Sequence, residues 1–186
     1  MKIVFSKFKC ALTSIAILFV TVGTLCAQSS DLAILFKKLK TVEAVDAPGL
    51  ETKILLEWSK SGSAAIDYLF TLAQIAMDTQ DYGVALLHLN ALTDHAPEFA
   101  EGWNLTAVTM YKLGKTGPAL AAIEHTLALE PRHFRALEVL MFILEDAGLF
   151  VEAFETFQMI EAIHPHSEIL STAKDRLNAK IQGQAL

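Results

Sequence analysis

Pro97, Pro131 and Pro165 are equally spaced, and much of the chain keeps the same 34-residue interval. Ala85, Ala119 and Ala153 each precede one of these prolines by the same distance. Leu89, Ile123 and Phe157 each follow one of the alanines by four. Leu69, Trp103 and Leu137 recur at the same spacing, as do Leu72, Thr106 and Leu140, and Ala73, Ala107 and Met141. All of these triplets share one phase. Self-similarity at such a period marks a stack of small supersecondary units, because one unit cannot bury its own apolar face.

Each unit contains two stretches with apolar residues at i, i+3, i+4 and i+7, the spacing of a helix with one buried face. Short polar turns divide them at 79–83, 113–118 and 146–150. Gly114 and Gly148 stand where a helix needs a left-handed stop. The prolines close each unit, since proline can open the next helix but cannot continue the last. The repeated alanines are small enough for paired helices to approach closely.

This pattern resembles the tetratricopeptide repeat (TPR), a 34-residue helix–turn–helix unit. The middle unit, 100–133, matches best, with Trp103, Ala107, Ala119, Ile123 and Pro131 at the family's spacings. It departs at Thr106, where leucine is usual, and at Met110, where an aromatic is usual. The first unit, 66–99, matches at Leu69, Leu72, Ala73, Ala85 and Pro97, and the third, 134–167, carries Met141 where a small residue is preferred. The resemblance implies an all-α fold, a right-handed α-solenoid of TPR hairpins over 64–167. Residues 168–186 read as a C-terminal capping helix, with Ile169, Leu170, Ala173, Leu177 and Ile181 on its apolar side. Lys174, Asp175, Arg176 and Lys180 supply its wet side. Residues 28–63 read as a helical hairpin, a candidate degenerate repeat. Its helices, 32–42 and 50–58, are broken at Ala47-Pro48-Gly49, and a turn follows at 59–63.

Residues 1–27 have a different character. Lys2, Lys7 and Lys9 precede a stretch from Cys10 to Ser30 without a charged residue, with small residues around Ala27. That is the layout of a secretory signal peptide cut after Ala27. An uncleaved anchor remains the alternative, because an uncharged stretch of this length can span a bilayer. A lipid-modified Cys26 would need a small residue where Leu25 stands. Both cysteines, Cys10 and Cys26, fall inside this segment. The exported chain would then have no thiol for a disulfide, a nucleophile or a metal site.

The whole chain of 186 residues carries 15 basic and 21 acidic side chains. Losing three lysines with the signal peptide makes the body more acidic still. That balance argues against nucleic acid as a partner.

No catalytic constellation is visible. Gly114-Lys115-Thr116 imitates the end of a P-loop, but Thr109 stands where that motif needs a glycine, and no strand precedes it. Six histidines include no H-E-x-x-H pair. His164-Pro165-His166 reads as a solvated turn, and Glu145-Asp146 as a solvated pair whose side chains diverge. No G-x-S-x-G elbow is present. No catalytic residue, metal or cofactor is expected.

What remains is the concave surface. The resemblance implies that the first helix of each hairpin lines an inner groove. From the first unit it would present Asp67, Phe70, Gln74 and Met77. Glu101, Asn104, Val108, Tyr111 and Lys112 would come from the second, and Arg135, Glu138, Phe142 and Glu145 from the third. Phe70, Tyr111 and Phe142 would be apolar anchors; Glu101, Asn104 and Arg135 would fix orientation. Of the five positions that form a carboxylate clamp in some TPR domains, only Arg135 matches. Phe70, Gln74, Leu105 and Val139 occupy the others, so a chaperone-tail clamp is not expected.

The segments Glu101-Gly102-Trp103-Asn104 and Glu130-Pro131-Arg132-His133-Phe134 look like those of small secreted bacterial TPR proteins. The expected function is therefore a non-enzymatic adaptor in the bacterial envelope, periplasmic, binding a protein or peptide partner. It would meet the membrane only through an uncleaved N-terminal segment. The alternative is a membrane-tethered structural subunit using its convex face or cap.

Overall fold

The computed structural model describes residues 31–184. The signal-peptide reading, with Cys10 and Cys26, lies outside the described residues. Among them the chain forms helices and no strand: α1 (31–39), α2 (Ala47–Trp58), α3 (Ala64–Asp78), α4 (Tyr82–His95), α5 (Ala100–Lys112), α6 (Thr116–Leu129), α7 (Phe134–Asp146), α8 (Phe150–Ile163) and α9 (Glu168–Gln184). None of these is long and apolar enough to cross a membrane.

The second helices of the hairpins, α4, α6 and α8, start and end in step with the sequence period. The expected all-α solenoid is present. Ala85, Ala119 and Ala153 are fully buried at the hairpin crossings. Gly114 and Gly148 turn left-handed at φ 70° and 74°. The first unit makes the same turn with Gln80, at φ 61°. Asp81 caps α4 by accepting from the Val84 N–H at 3.1 Å. Trp103 ties its unit to the preceding one, donating to the Pro97 carbonyl at 2.8 Å, and stacks on His125.

On α9, Leu170, Ala173 and Leu177 are buried against α7 and α8, as the stripe required. Arg176 leaves the wet side. It forms a two-armed ion pair with Glu145, both contacts at 2.8 Å, because the α7 carboxylate faces it.

The N-terminal hairpin differs from the sequence reading in two ways. Its break falls at residues 40–46, and Ala47-Pro48-Gly49 opens α2. Proline's fixed φ and missing N–H suit the first turn of a helix, so Pro48 begins the element. The hairpin's buried side chains also join the core of the third unit, not that of the first. Phe36, Leu39, Ile54 and Trp58 share one cluster with Phe134, Leu137, Met141, Phe157 and Leu177. Ile66 and Phe70 of α3 pack elsewhere, with Leu92 and Phe99. Each large side chain so buried contributes about 1.5–3 kcal/mol. Arg132 lies over the Phe36 ring, 4.3 Å from its centroid.

Candidate functional site

The positions expected to line the inner face recur at the sequence period, so they form rows across α3, α5 and α7. Their exposure sorts row by row. Phe70, Asn104 and Glu138 make one row, and all three are buried. Gln74, Val108 and Phe142 make the next; Gln74 and Phe142 are exposed and Val108 half-buried. Met77, Tyr111 and Glu145 are half-buried, whereas Lys112 is exposed.

The buried row corrects the expectation for three residues. Phe70 is not a surface anchor. It meets Phe99 edge-on at 5.5 Å inside the α3–α5 core. Asn104 is buried and donates to Glu101 Oε1 at 3.2 Å. Glu138 is buried and accepts from Arg135 at 3.1 Å and from Ser167 at 3.2 Å. Burial pushes the Glu138 carboxyl above its usual range, and Arg135 pulls it partly back.

The outermost row is also engaged. Asp67 accepts from the Ser61 hydroxyl at 2.6 Å. Glu101 holds Nε2 of the buried His133 at 2.8 Å, while His133 Nδ1 caps α7 by accepting from the Ala136 N–H at 3.2 Å. Arg135 pairs with Glu51 of α2 as well as with Glu138. So Glu101 and Asn104 are engaged within the stack, and Arg135 is free only if both Glu51 and Glu138 let go.

Two troughs remain open along the face. One, of about 490 Å³, is lined by Thr71, Gln74, Ile75, Met77, Asp78 and Leu105. The other, of about 380 Å³, lies where α7 and α9 meet α2, and Glu51, Arg135, Glu138, Phe142, Ile169 and Thr172 are among its lining residues. Between the helices that carry them, the Tyr111 hydroxyl donates to Asp146 Oδ2 at 2.6 Å and ties α5 to α7. That bond pushes the phenol up to about 12. Glu145 and Asp146 diverge as expected, but each has a partner, Arg176 and Tyr111, and neither is a purely solvated charge.

His164 also departs from its reading. It is 1% exposed, wedged 5.1 Å from Phe134 and 3.9 Å from Glu51, because the hairpin covers this junction. Burial pushes its imidazole below the ordinary value, against the pull of Glu51. Among the described residues, no cluster of three or more His, Cys, Asp or Glu side chains is arranged to hold a metal ion.

Sequence reasoning missed Glu51, Trp58, His164 and Ser167. The spacing of Glu51, Ile54 and Trp58 on one helix face was the available signal.

No family model matches the chain. A TPR repeat-containing protein of Rhizobium etli is 36% identical over 127 residues, covering 66% of this chain. The chain spans 62% of that curated relative's length. Among solved structures, the TPR2B domain of yeast Sti1, in a complex with pHsp70, superposes with a TM-score of 0.57 at 20% identity. That match covers 66% of this chain and 99% of the Sti1 domain, and it speaks to the fold.

Proposed function

Because the chain is a tetratricopeptide-repeat protein, we propose that it is a non-enzymatic adaptor that binds a protein or peptide partner along its inner face. The observation that carries this reading is the Gln74–Val108–Phe142 row, which offers an exposed aromatic and a half-buried valine beside an exposed amide and adjoins two troughs. Apolar side chains beside a few polar ones suit a helix or extended peptide. Phe142, Tyr111 and Val108 serve as anchors, with Gln74 and Lys112 as polar contacts. The carboxylate capture of a chaperone tail is not part of the proposal, since Arg135 already pairs with two carboxylates.

The setting we propose is the bacterial envelope, on the periplasmic side, reached through the N-terminal segment. N-terminal sequencing of the exported protein tests this: a start at Gln28 supports export with cleavage, and an intact Met1 supports an anchor.

The groove is tested with the double substitution Val108→Asp/Phe142→Asp. Partner capture should be lost with the helical circular dichroism unchanged. Unchanged capture overturns the groove. It would favour the second reading, a structural subunit docking through its convex face, where Leu87, Val151 and Met159 are exposed on α4 and α8.

A further inference from the structure

Among the described residues, four buried side-chain nitrogen or oxygen atoms have no hydrogen-bond partner, and three of them lie along one seam. They are Trp58 Nε1 and both ring nitrogens of His164. The seam joins the N-terminal hairpin to the third repeat. Buried polar groups are normally satisfied, so three such atoms on one seam single it out. Among the described residues, the contacts between repeats show no such cluster.

Helix α2 meets this seam as a ligand helix meets a groove. It presents Glu51, Ile54 and Trp58 at i, i+3 and i+7, one face of a helix. Glu51 pairs with Arg135, Ile54 is fully buried, and Trp58 stacks on His133. The clusters that hold α3 to α6 together contain none of the hairpin's side chains. A short linker with Gly62 at φ 80° joins α2 to α3.

We propose that α2 is an internal ligand of the third repeat, displaced by a partner of like chemistry. That partner is an amphipathic helix carrying a carboxylate at one position and a large aromatic side chain at i+7 from it. The inference rests on the adaptor reading and specifies the partner's class. While α2 stays docked, the apparent affinity for such a helix falls by the fraction of molecules in which the seam is open.

The probe is a fluorescein-labelled peptide of residues 44–60, added to the purified protein. Glu51→Arg places like charges together at Arg135, and Trp58→Ala removes the stack. Both variants should bind the probe at least about tenfold tighter than the wild type. A probe with alanine at its tryptophan should bind neither. Equal affinity in all three proteins, or loss of the repeats' helical signal in both variants, overturns the proposal. Partner capture through Val108 and Phe142 is scored separately. Failure of the probe with that row still required overturns the internal ligand alone. Probe binding with capture indifferent to that row overturns the adaptor reading, and with it the partner assigned to α2.

Discussion

Trp58 of α2 stacks on His133 at the start of α7, with ring centroids 4.0 Å apart and planes 10° apart. The same histidine caps α7 and holds Glu101, so one buried side chain links the hairpin, the second repeat and the third. His133→Ala removes the stack, the cap and the hydrogen bond together. It should cost about 2–4 kcal/mol in urea unfolding. His133→Asn keeps a capping oxygen and should recover about 1 kcal/mol of that loss.

Gln80 holds the left-handed turn that Gly114 and Gly148 make in the other units. A side chain at positive φ is strained, and glycine is not. Gln80→Gly should therefore stabilise the protein by about 0.5–1 kcal/mol, after the added freedom of the unfolded chain is offset. Gly114→Ala should do the opposite. Thermal melts of the two variants check both signs.

Gly102 sits in the first turn of α5, where alanine, the better helix former, would ordinarily gain up to about 1 kcal/mol. Here an added Cβ would lie 2.3 Å from Leu92 Cδ2, and Leu92 is fully buried. Gly102→Ala should destabilise by about 1–3 kcal/mol, as overpacking does. Denaturant midpoints read this directly.

The Tyr111–Asp146 bond predicts an alkaline effect. The phenol titrates at 10.0 when free and at about 12 when folded. A raised value means the contribution is complete below pH 10 and lost as pH climbs toward 12. Urea midpoints of the wild type should fall over that window more steeply than those of Tyr111→Phe.

His164 predicts an acid effect of the other kind. Its ordinary value is 6.5, and burial lowers it in the folded chain. The buried neutral ring stabilises above 6.5, and that contribution is lost as pH falls. Glu51, Arg135 and His166 face it, and the first opposes the shift while the other two reinforce it. His164→Gln should flatten the fall in stability as pH drops below 6.5.

The solenoid was legible because its signals are local and repeated. Prolines, glycines and alanines at one period specify helix ends and crossings wherever they fall. The hairpin's docking was not, because Phe36, Ile54 and Trp58 meet residues from Phe134 to Leu177 that share no pattern with them. Row exposure was hidden for a related reason. Phe70 and Phe142 are both aromatic residues on first helices, and four positions of the repeat, about one helical turn, separate buried from open. Asn104 and Glu138 look like groove contacts by type, but both are buried and bonded inside the stack, Asn104 to Glu101 on the preceding turn of its helix and Glu138 to Arg135 and to Ser167 in a loop.

The most direct measurement places a photo-crosslinking amino acid at Phe142 on the inner face, and at Met159 on α8 in a second strain. After irradiation of intact cells, groove binding predicts one covalent partner from position 142 and none from 159. The same partner captured from 159 and absent from 142 would contradict it.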